Sequence, residues 1–203
     1  MMKSTVAQFR QPTGLMGRLV GALMARKNRE RITWAVSLLD IQPTDHVLEV
    51  GFGPGVAIEQ VARFARAGFV AGVDHSAIMV AQASKRNRAA IAAGQVELRL
   101  GSVVTLPYGD ASFDKAFAIN SLLFWPEPVA NLGEVERVLR PGGRIAIFSQ
   151  PPSARSNAEV QAEGQKIAGQ LAAAGFMNLE QVLRPLKPVA AVAVLGVKPT
   201  RDV

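Results

Sequence analysis

The fold of this chain is decided by the stretch Val47-Leu48-Glu49-Val50-Gly51-Phe52-Gly53-Pro54-Gly55. An apolar run with a single acidic residue predicts a buried β-strand, and glycine at every second position then predicts a sharp turn. Because glycine has no side chain, the backbone of such a turn can approach a ligand and donate N–H groups to it. The stretch therefore predicts a strand and a ligand-binding turn at the start of a helix.

The spacing of these glycines differs from that of the dinucleotide-binding fingerprint. That fingerprint, Gly-x-Gly-x-x-Gly, requires a third glycine where this chain has Val56. It also holds a pyrophosphate, which a nearby carboxylate such as Glu49 would repel. A carboxylate here can instead pair with an ammonium group. Taken alone, a glycine-rich turn in a chain with 18 glycines is as readily structural as functional.

A second carboxylate follows the next predicted strand. Residues 54–68 carry apolar side chains at helical spacing, and residues 69–73 then predict a strand that ends at Asp74. In a βαβ unit, an acidic residue about 20 positions after the glycine turn accepts the hydroxyl groups of a ribose. The alternative is that Asp74 and Ser76 only cap the following helix. The upstream glycines favour the ribose role.

The remainder of the chain alternates between helical and strand patterns, as a doubly wound sheet requires. Helices are predicted at 76–93, 127–140 and 158–174, and strands at 96–100, 115–119, 144–149, 179–184 and 189–197. The last of these strands is almost entirely apolar, which is typical of a strand covered on both faces. The pattern predicts one α/β fold.

In order and spacing, these motifs resemble those of the class I, seven-stranded S-adenosylmethionine-dependent methyltransferases, in the type 11-like subgroup. The resemblance covers nearly the whole chain and rests on 48–55, Asp74 with Ser76, 101–102, 106–114, Asn120 and 138–144. It implies a three-layer α/β/α sandwich around a mostly parallel, doubly wound, seven-stranded sheet with an antiparallel last strand. It also implies S-adenosylmethionine as the cofactor.

The resemblance further implies a set of cofactor-binding residues: Glu49, Gly51, Phe52, Gly53, Gly55, Asp74, His75, Ser102, Val103 and Asn120. Family members most often have Asp at position 102. The neutral hydroxyl of Ser102 would accept from the adenine amino group more weakly, by roughly 1 kcal/mol. The backbone N–H of Val103 would compensate for this, and Asn120 would hold either a loop or the methionine moiety.

The sequence assigns no catalytic residue. Methyl transfer from a sulfonium chiefly requires alignment of donor and acceptor and exclusion of water, so a general base is not always needed. Of the two histidines, His75 lies nearer the ligand end of the sheet than His46 and is the candidate base. The predicted substrate pocket is apolar and comprises Leu122, Leu123 and Trp125, together with Leu19 and Leu23. Core packing is the alternative for the cluster after the fourth strand.

The first 40 residues are predicted to form an N-terminal helical cap on the methyltransferase domain, residues 41–203, within one structural domain. Between residues 15 and 24, leucine, methionine and valine recur at helical spacing beside cationic residues, which predicts an amphipathic helix. This helix would pack on the sheet or over the cofactor. The alternative is a contact with a membrane surface.

The amino-acid composition limits the domain number, the metal and disulfide content and the partners that we expect. A chain of 203 residues with 49% hydrophobic residues suits one compact domain, for which the cytoplasm is the expected location. With no cysteine and two histidines, neither a disulfide framework nor a metal site is expected. A net charge of +7 permits an anionic partner, whereas an aromatic content of 6% argues against nucleic acid.

Together these patterns favour a methyltransferase that acts on a small-molecule or lipid-like acceptor. Two alternatives stay open from the sequence. The first is methylation of a macromolecule, RNA or protein, attracted by the basic surface. The second is an inactive cofactor-binding protein that uses its N-terminal segment for interactions.

Overall fold

The computed structural model describes residues 29–187 and 189–200 of the chain. The chain divides into two compact units, Met1–Ser102 and Val103–Val203. Its seven strands form one sheet in the order β3-β2-β1-β4-β5-β7-β6. The predicted α/β fold class, with a seven-stranded and mostly parallel sheet, is confirmed.

The first unit is a parallel three-stranded βα array. Its described elements are α1 (Arg29–Leu38), β1 (His46–Val50), α2 (Val56–Phe64), β2 (Phe69–Asp74), α3 (Ala77–Arg86), α4 (Arg88–Ala92) and β3 (Val96–Leu100). Strand β2 lies between β1 and β3, with Val50 opposite Val73 and Asp74 opposite Leu100. The carboxyl ends of the three strands therefore lie at one edge, which is where ligands bind in such sheets.

A glycine in the middle of β2 allows the turn after β1 to pack against the sheet. A Cβ added at Gly72 would lie 2.6 Å from Cδ1 of Phe52 and 3.2 Å from Cδ1 of Ile58. Glycine inside a strand often marks such a close approach. The ring of Phe52 is accordingly buried against β2.

The strands of the second unit pair in both parallel and antiparallel orientation. Its elements are β4 (Phe113–Ile119), a 3-10 turn (Leu122–Phe124), α5 (Pro128–Val138), β5 (Leu139–Ser149), α6 (Asn157–Ala173), β6 (Met177–Arg184) and β7 (Ala191–Val197). Strands β4 and β5 are parallel, while β7 runs antiparallel to both β5 and β6. Residues 191–195 of β7 are buried, which accounts for their apolar run. The predicted antiparallel last strand is confirmed.

Two predicted elements differ from those observed. The single helix expected at 76–93 is divided at Asn87 into α3 and α4, and the Asn87 side chain donates to the carbonyl oxygens of Ala83 and Gly55. Strand β5 begins at Leu139 rather than 144, because Leu139 pairs with Phe113 at the start of β4. Both differences come from contacts distant in sequence.

Helix α6 begins at an N-cap formed by Ser156 and supported by Glu159. The hydroxyl of Ser156 accepts from the backbone N–H of Glu159 at 3.3 Å, while the Glu159 carboxylate accepts from the backbone N–H of Arg155 at 3.0 Å. The first bond satisfies a backbone donor that a helix start otherwise leaves unpaired, and the second fixes the residue before the cap. The sequence pattern Ser-x-x-Glu thus specifies where the helix begins.

Two glycines of α6 give a matched test of its packing. At Gly169 a Cβ would meet open space, whereas at Gly164 it would lie 2.7 Å from Cγ2 of the buried Val192. We expect Gly169→Ala to raise the free energy of unfolding by about 0.5–1 kcal/mol, because alanine is the better helix former. Gly164→Ala should lower it despite the same gain in helix propensity. Urea unfolding measures both, and equal stabilisation would contradict the packing of α6 described here.

Candidate functional site

The turn after β1 has a backbone conformation that glycine favours. Gly51, Gly53 and Gly55 have φ angles of 79°, 52° and 74°. The Gly51 N–H donates to the Val73 carbonyl at 2.8 Å and so joins the end of β1 to β2. Gly55 is the N-cap of α2. Alternating glycines therefore let the chain leave the sheet and enter the helix within five residues.

The second and third glycines of this turn, Gly53 and Gly55, have different surroundings. A Cβ at Gly53 would meet no atom of the described residues within 4 Å, so this side of the turn is open in the described part of the chain. A Cβ at Gly55 would lie 2.6 Å from Cβ of Ala83 and 2.8 Å from Nδ2 of Asn87. Among the described residues, the turn is thus covered by α3 on one side and left open on the other.

Asp74, at the end of β2, holds two backbone segments. Its Oδ2 accepts from the Gly53 N–H at 2.8 Å, and its Oδ1 accepts from the Ser76 N–H at 2.9 Å. Ser76 in turn caps α3 by accepting from the Met79 N–H. Each carboxylate oxygen can accept a second hydrogen bond. The helix-start role is therefore observed, and the ribose role stays a prediction compatible with it.

Glu49 is a buried carboxyl group at the foot of the turn. Its side chain is 2% exposed, and its Oε2 has no hydrogen-bond partner among the described residues. Burial raises the pKa of Glu49 well above its usual range, and the negative charge of Asp74 raises it further. A hydrogen bond from the Ile58 backbone N–H acts in the opposite direction. Leaving such a group unpaired costs free energy.

The pKa of Asp74 is also raised, first by burial, although the N–H groups of Ser76 and Gly53 oppose this. Burial and the negative charge of Asp74 both disfavour ionisation of Glu49, so a positive ligand group would be attracted to this site. An ammonium group would supply the donors and the charge that Glu49 lacks. These residues, with the open side of Gly53, fit a ligand that carries both an ammonium and hydroxyl groups.

Three other predicted residues of the first unit have distinct environments. His75 is half exposed, with its Nδ1 3.9 Å from Oδ1 of Asp74. Ser102 is exposed and follows Gly101, whose N–H donates to the Asp74 carbonyl at 3.0 Å. Phe52 is buried in the core, so only its backbone faces the turn. The structure therefore brings His75 close to Asp74 and leaves the ligand roles of all three as predictions.

The predicted residues of the second unit follow β4. Asn120 has a φ of 54°, and its Oδ1 accepts from the Gln150 N–H at 2.8 Å, so it holds the loop after β5. Leu122 and Trp125 are buried, as is Val103, whereas the Leu123 side chain is 51% exposed. Loop holding was one of the two roles predicted for Asn120. Leu19 and Leu23 lie outside the described residues.

Sequence reasoning missed the residues that support the glycine turn from behind. Nδ2 of Asn87 donates to the Gly55 carbonyl at 3.1 Å, and Nε of Arg86 donates to the Pro54 carbonyl at 3.0 Å. Both donors lie more than 30 positions from their acceptors, and no motif marks them. The sequence indicated a close contact with the turn only at Gly72, because a glycine inside a strand pattern often marks a place where another segment packs closely.

Two findings concern other classes of site. Within residues 29–187 and 189–200, no three acidic or histidine side chains are grouped so that they could hold a metal ion. Across the same described ranges, no helix combines the length and apolar character needed to cross a membrane.

The parallel sheet, the glycine turn and the carboxylate after β2 define a class I S-adenosylmethionine-dependent methyltransferase. Residues 48–147 match the family described as a methyltransferase domain. The chain is 30% identical over 182 residues to the uncharacterized methyltransferase YdaC of Bacillus subtilis, covering 89% of this chain and 98% of that relative. The chain therefore belongs to this methyltransferase family, and its cofactor is S-adenosylmethionine.

Two further comparisons cover less or are more distant. The O-methyltransferase resE of Aspergillus sclerotiorum is 36% identical over 119 residues, which is 58% of this chain and 45% of that protein. The chain thus spans less than half of that relative. A solved S-adenosylmethionine-dependent methyltransferase from Aquifex aeolicus has a TM-score of 0.68 at 19% identity, covering 82% of this chain and 88% of that one. This second likeness concerns the fold.

The raised pKa of the Glu49 carboxyl predicts a specific dependence of stability on pH. Because its pKa is higher in the folded than in the unfolded protein, the free energy of unfolding falls as pH rises through the interval between those two values. Glu49→Gln cannot ionise, so we expect the unliganded variant to be more stable than the wild type at pH 8 by at least about 1 kcal/mol. This advantage should shrink towards pH 4.

Urea unfolding from pH 4 to 8, without cofactor, measures this difference. Glu180→Gln, on the exposed strand β6, is the control and should show no comparable gain at high pH. A Glu49→Gln variant whose stability parallels the wild type at every pH would show that the Glu49 carboxyl is not isolated in the unliganded protein.

Proposed function

We propose that the glycine turn of the first unit binds S-adenosylmethionine and that the enzyme transfers its methyl group to a small-molecule or lipid-like acceptor. The observation that carries the placement of the cofactor is the buried Oε2 of Glu49, which has no partner among the described residues. The ammonium of the amino-acid end would pair with this oxygen and remove the cost of its burial.

The other contacts of the cofactor would come from the same edge of the first unit. Asp74 would accept the ribose hydroxyls with the lone pairs that Gly53 and Ser76 do not use. The open side of Gly53 would let the ligand reach the turn closely. When bound, the cofactor supplies a methyl group on a sulfonium with a good leaving group, so the protein's task is to align the acceptor and exclude water.

The nature of the acceptor is inferred from the residues after β4. Leu122 and Trp125 form an apolar turn there, and Leu123 presents half of its side chain to solvent. Carboxyl ends of parallel strands are where ligands lie in such sheets. Apolar side chains at that position suit an apolar acceptor, and the relative named an O-methyltransferase supports oxygen as one acceptor atom.

Gly53→Ala tests the placement of the cofactor, with Gly94→Ala as the matched control. Both glycines have positive φ angles, 52° and 72°, and open space for a Cβ, so each variant should lose a similar 1–2 kcal/mol or so of stability, about the αL strain of one residue. Only Gly53→Ala places a methyl group where the ligand would approach. We expect it to weaken the binding of S-adenosylhomocysteine at least about tenfold by calorimetry, with Gly94→Ala at the wild-type affinity.

Wild-type affinity in both glycine variants would place the cofactor away from the open side of Gly53. The same reduced affinity in both variants would mean that backbone strain alone explains the effect. Either result would contradict the proposed site while leaving membership of the family intact.

The acceptor is tested by radiolabelled methyl transfer from S-adenosylmethionine into a cell extract separated into lipid, small-molecule, RNA and protein fractions. We expect label in the lipid or small-molecule fraction, and about tenfold slower labelling with Gly53→Ala than with the wild type at cofactor concentrations below both dissociation constants. Gly94→Ala should label the same fraction as the wild type.

Label in RNA or protein would instead identify a macromolecular methyltransferase, to which the net charge of +7 would attract an anionic partner. Binding of the cofactor without label in any fraction would identify an inactive cofactor-binding protein. The contact of the N-terminal segment with a lid position or a membrane surface stays a prediction, because residues 1–28 lie outside the described part of the chain.

A further inference from the structure

The buried side chain of Asn87 connects α3 to the glycine turn. It is 4% exposed, and its Nδ2 donates both to the Gly55 carbonyl at 3.1 Å and to the Ala83 carbonyl at 2.9 Å. The first acceptor is 32 residues away in sequence and is also the N-cap residue of α2. One amide group therefore joins the end of α3 to the start of α2.

The contact between α3 and the turn is close as well as hydrogen-bonded. Because a Cβ at Gly55 would lie 2.6 Å from Cβ of Ala83, the turn rests directly on α3. Arg86 adds a bond to the Pro54 carbonyl, although its side chain is 36% exposed and its contribution is correspondingly smaller. Consecutive carbonyl groups of the turn are thus held from the side opposite to Gly53.

This support reaches the predicted cofactor contacts through the backbone. Gly53 lies two residues before Gly55, and its N–H fixes Oδ2 of Asp74 at 2.8 Å. A displacement of Gly55 would move the Gly53 N–H and release the carboxylate from the position in which it would meet the ribose. Groups of a binding site need to be held in this way by a supporting layer of residues.

We propose that Asn87 is a positioning residue for the cofactor-binding turn: its amide holds Gly55 against α3 and thereby fixes the geometry of Gly53 and Asp74. The inference rests on the proposed placement of the cofactor at this turn. Asn87 makes no contact with the ligand in this account. Its effect is on the affinity for the cofactor.

Asn87→Ala and Asn131→Ala form a matched pair for testing this role. Asn131 is also a buried asparagine, 3% exposed, and its Oδ1 accepts from the Glu127 N–H at the start of α5 in the second unit. Both variants lose one buried hydrogen-bonding side chain beside a helix, so both should be less stable than the wild type. Only Asn87→Ala should weaken S-adenosylhomocysteine binding, by about tenfold, when calorimetry is done at a temperature where each variant is fully folded.

Two further variants test whether the loss of affinity follows the loss of the hydrogen bond rather than a folding defect. Asn87→Asp keeps the size but turns a carboxyl oxygen towards the carbonyl oxygens of Gly55 and Ala83, so it should bind at least as weakly as Asn87→Ala. Asn87→Ser keeps a shorter donor and should lie between Asn87→Ala and the wild type. Amide hydrogen exchange at Gly53 and Gly55, measured by NMR without ligand, should be faster in Asn87→Ala than in the wild type and unchanged in Asn131→Ala.

The positioning role is overturned if Asn87→Ala and Asn131→Ala bind the ligand equally, whether strongly or weakly, or if exchange at the turn is the same in both. The proposed cofactor site fails by a different result, namely wild-type affinity of Gly53→Ala. A loss of affinity in Gly53→Ala without a loss in Asn87→Ala would retain the site and reject the role of Asn87.

Discussion

The carboxylate of Asp74 ties together the turns that follow β1 and β2, and the geometry of the ligand edge in the first unit depends on it. One oxygen holds the Gly53 N–H and the other holds the Ser76 N–H, so the glycine turn and the start of α3 are fixed to a single side chain. At the other end of α3, the Asn87 side chain donates a hydrogen bond to the Gly55 carbonyl. The turn is therefore held at its middle and at its last residue by side chains that come from outside it.

The same region contains a buried carboxyl group, Glu49, whose burial lowers the stability of the unliganded protein. Glu49 is buried, its pKa is raised by burial and by Asp74, and one of its oxygens lacks a partner in the described part of the chain. Sites that bind ligands commonly retain such unfavourable features, because the missing interaction is supplied on binding. In this family of enzymes, S-adenosylmethionine carries an ammonium group suited to that task.

Much of this arrangement could be predicted from the sequence. The strand-turn-helix pattern of residues 47–64 and the carboxylate after β2 depend on local periodicity and on glycine spacing, both of which are visible in one dimension. The split of the predicted helix at Asn87 was not visible, since its cause is a carbonyl group 32 residues away. The early start of β5 was missed for a similar reason, because Leu139 pairs with Phe113 on a neighbouring strand.

The sequence by itself determined the order of strands and helices, the turn at Gly51 to Gly55 and the two acidic positions, because each follows from the chemistry of neighbouring residues. The tertiary structure decided what those acidic groups experience. Glu49 is buried, so its possible partners depend on the groups that the fold packs around it. Asp74 accepts a hydrogen bond from a turn 21 residues away in the chain. Hydrogen-bond partners and desolvation are properties of the folded arrangement, so only the fold could show that one carboxylate supports the turn and that Oε2 of the other has no partner among the described residues.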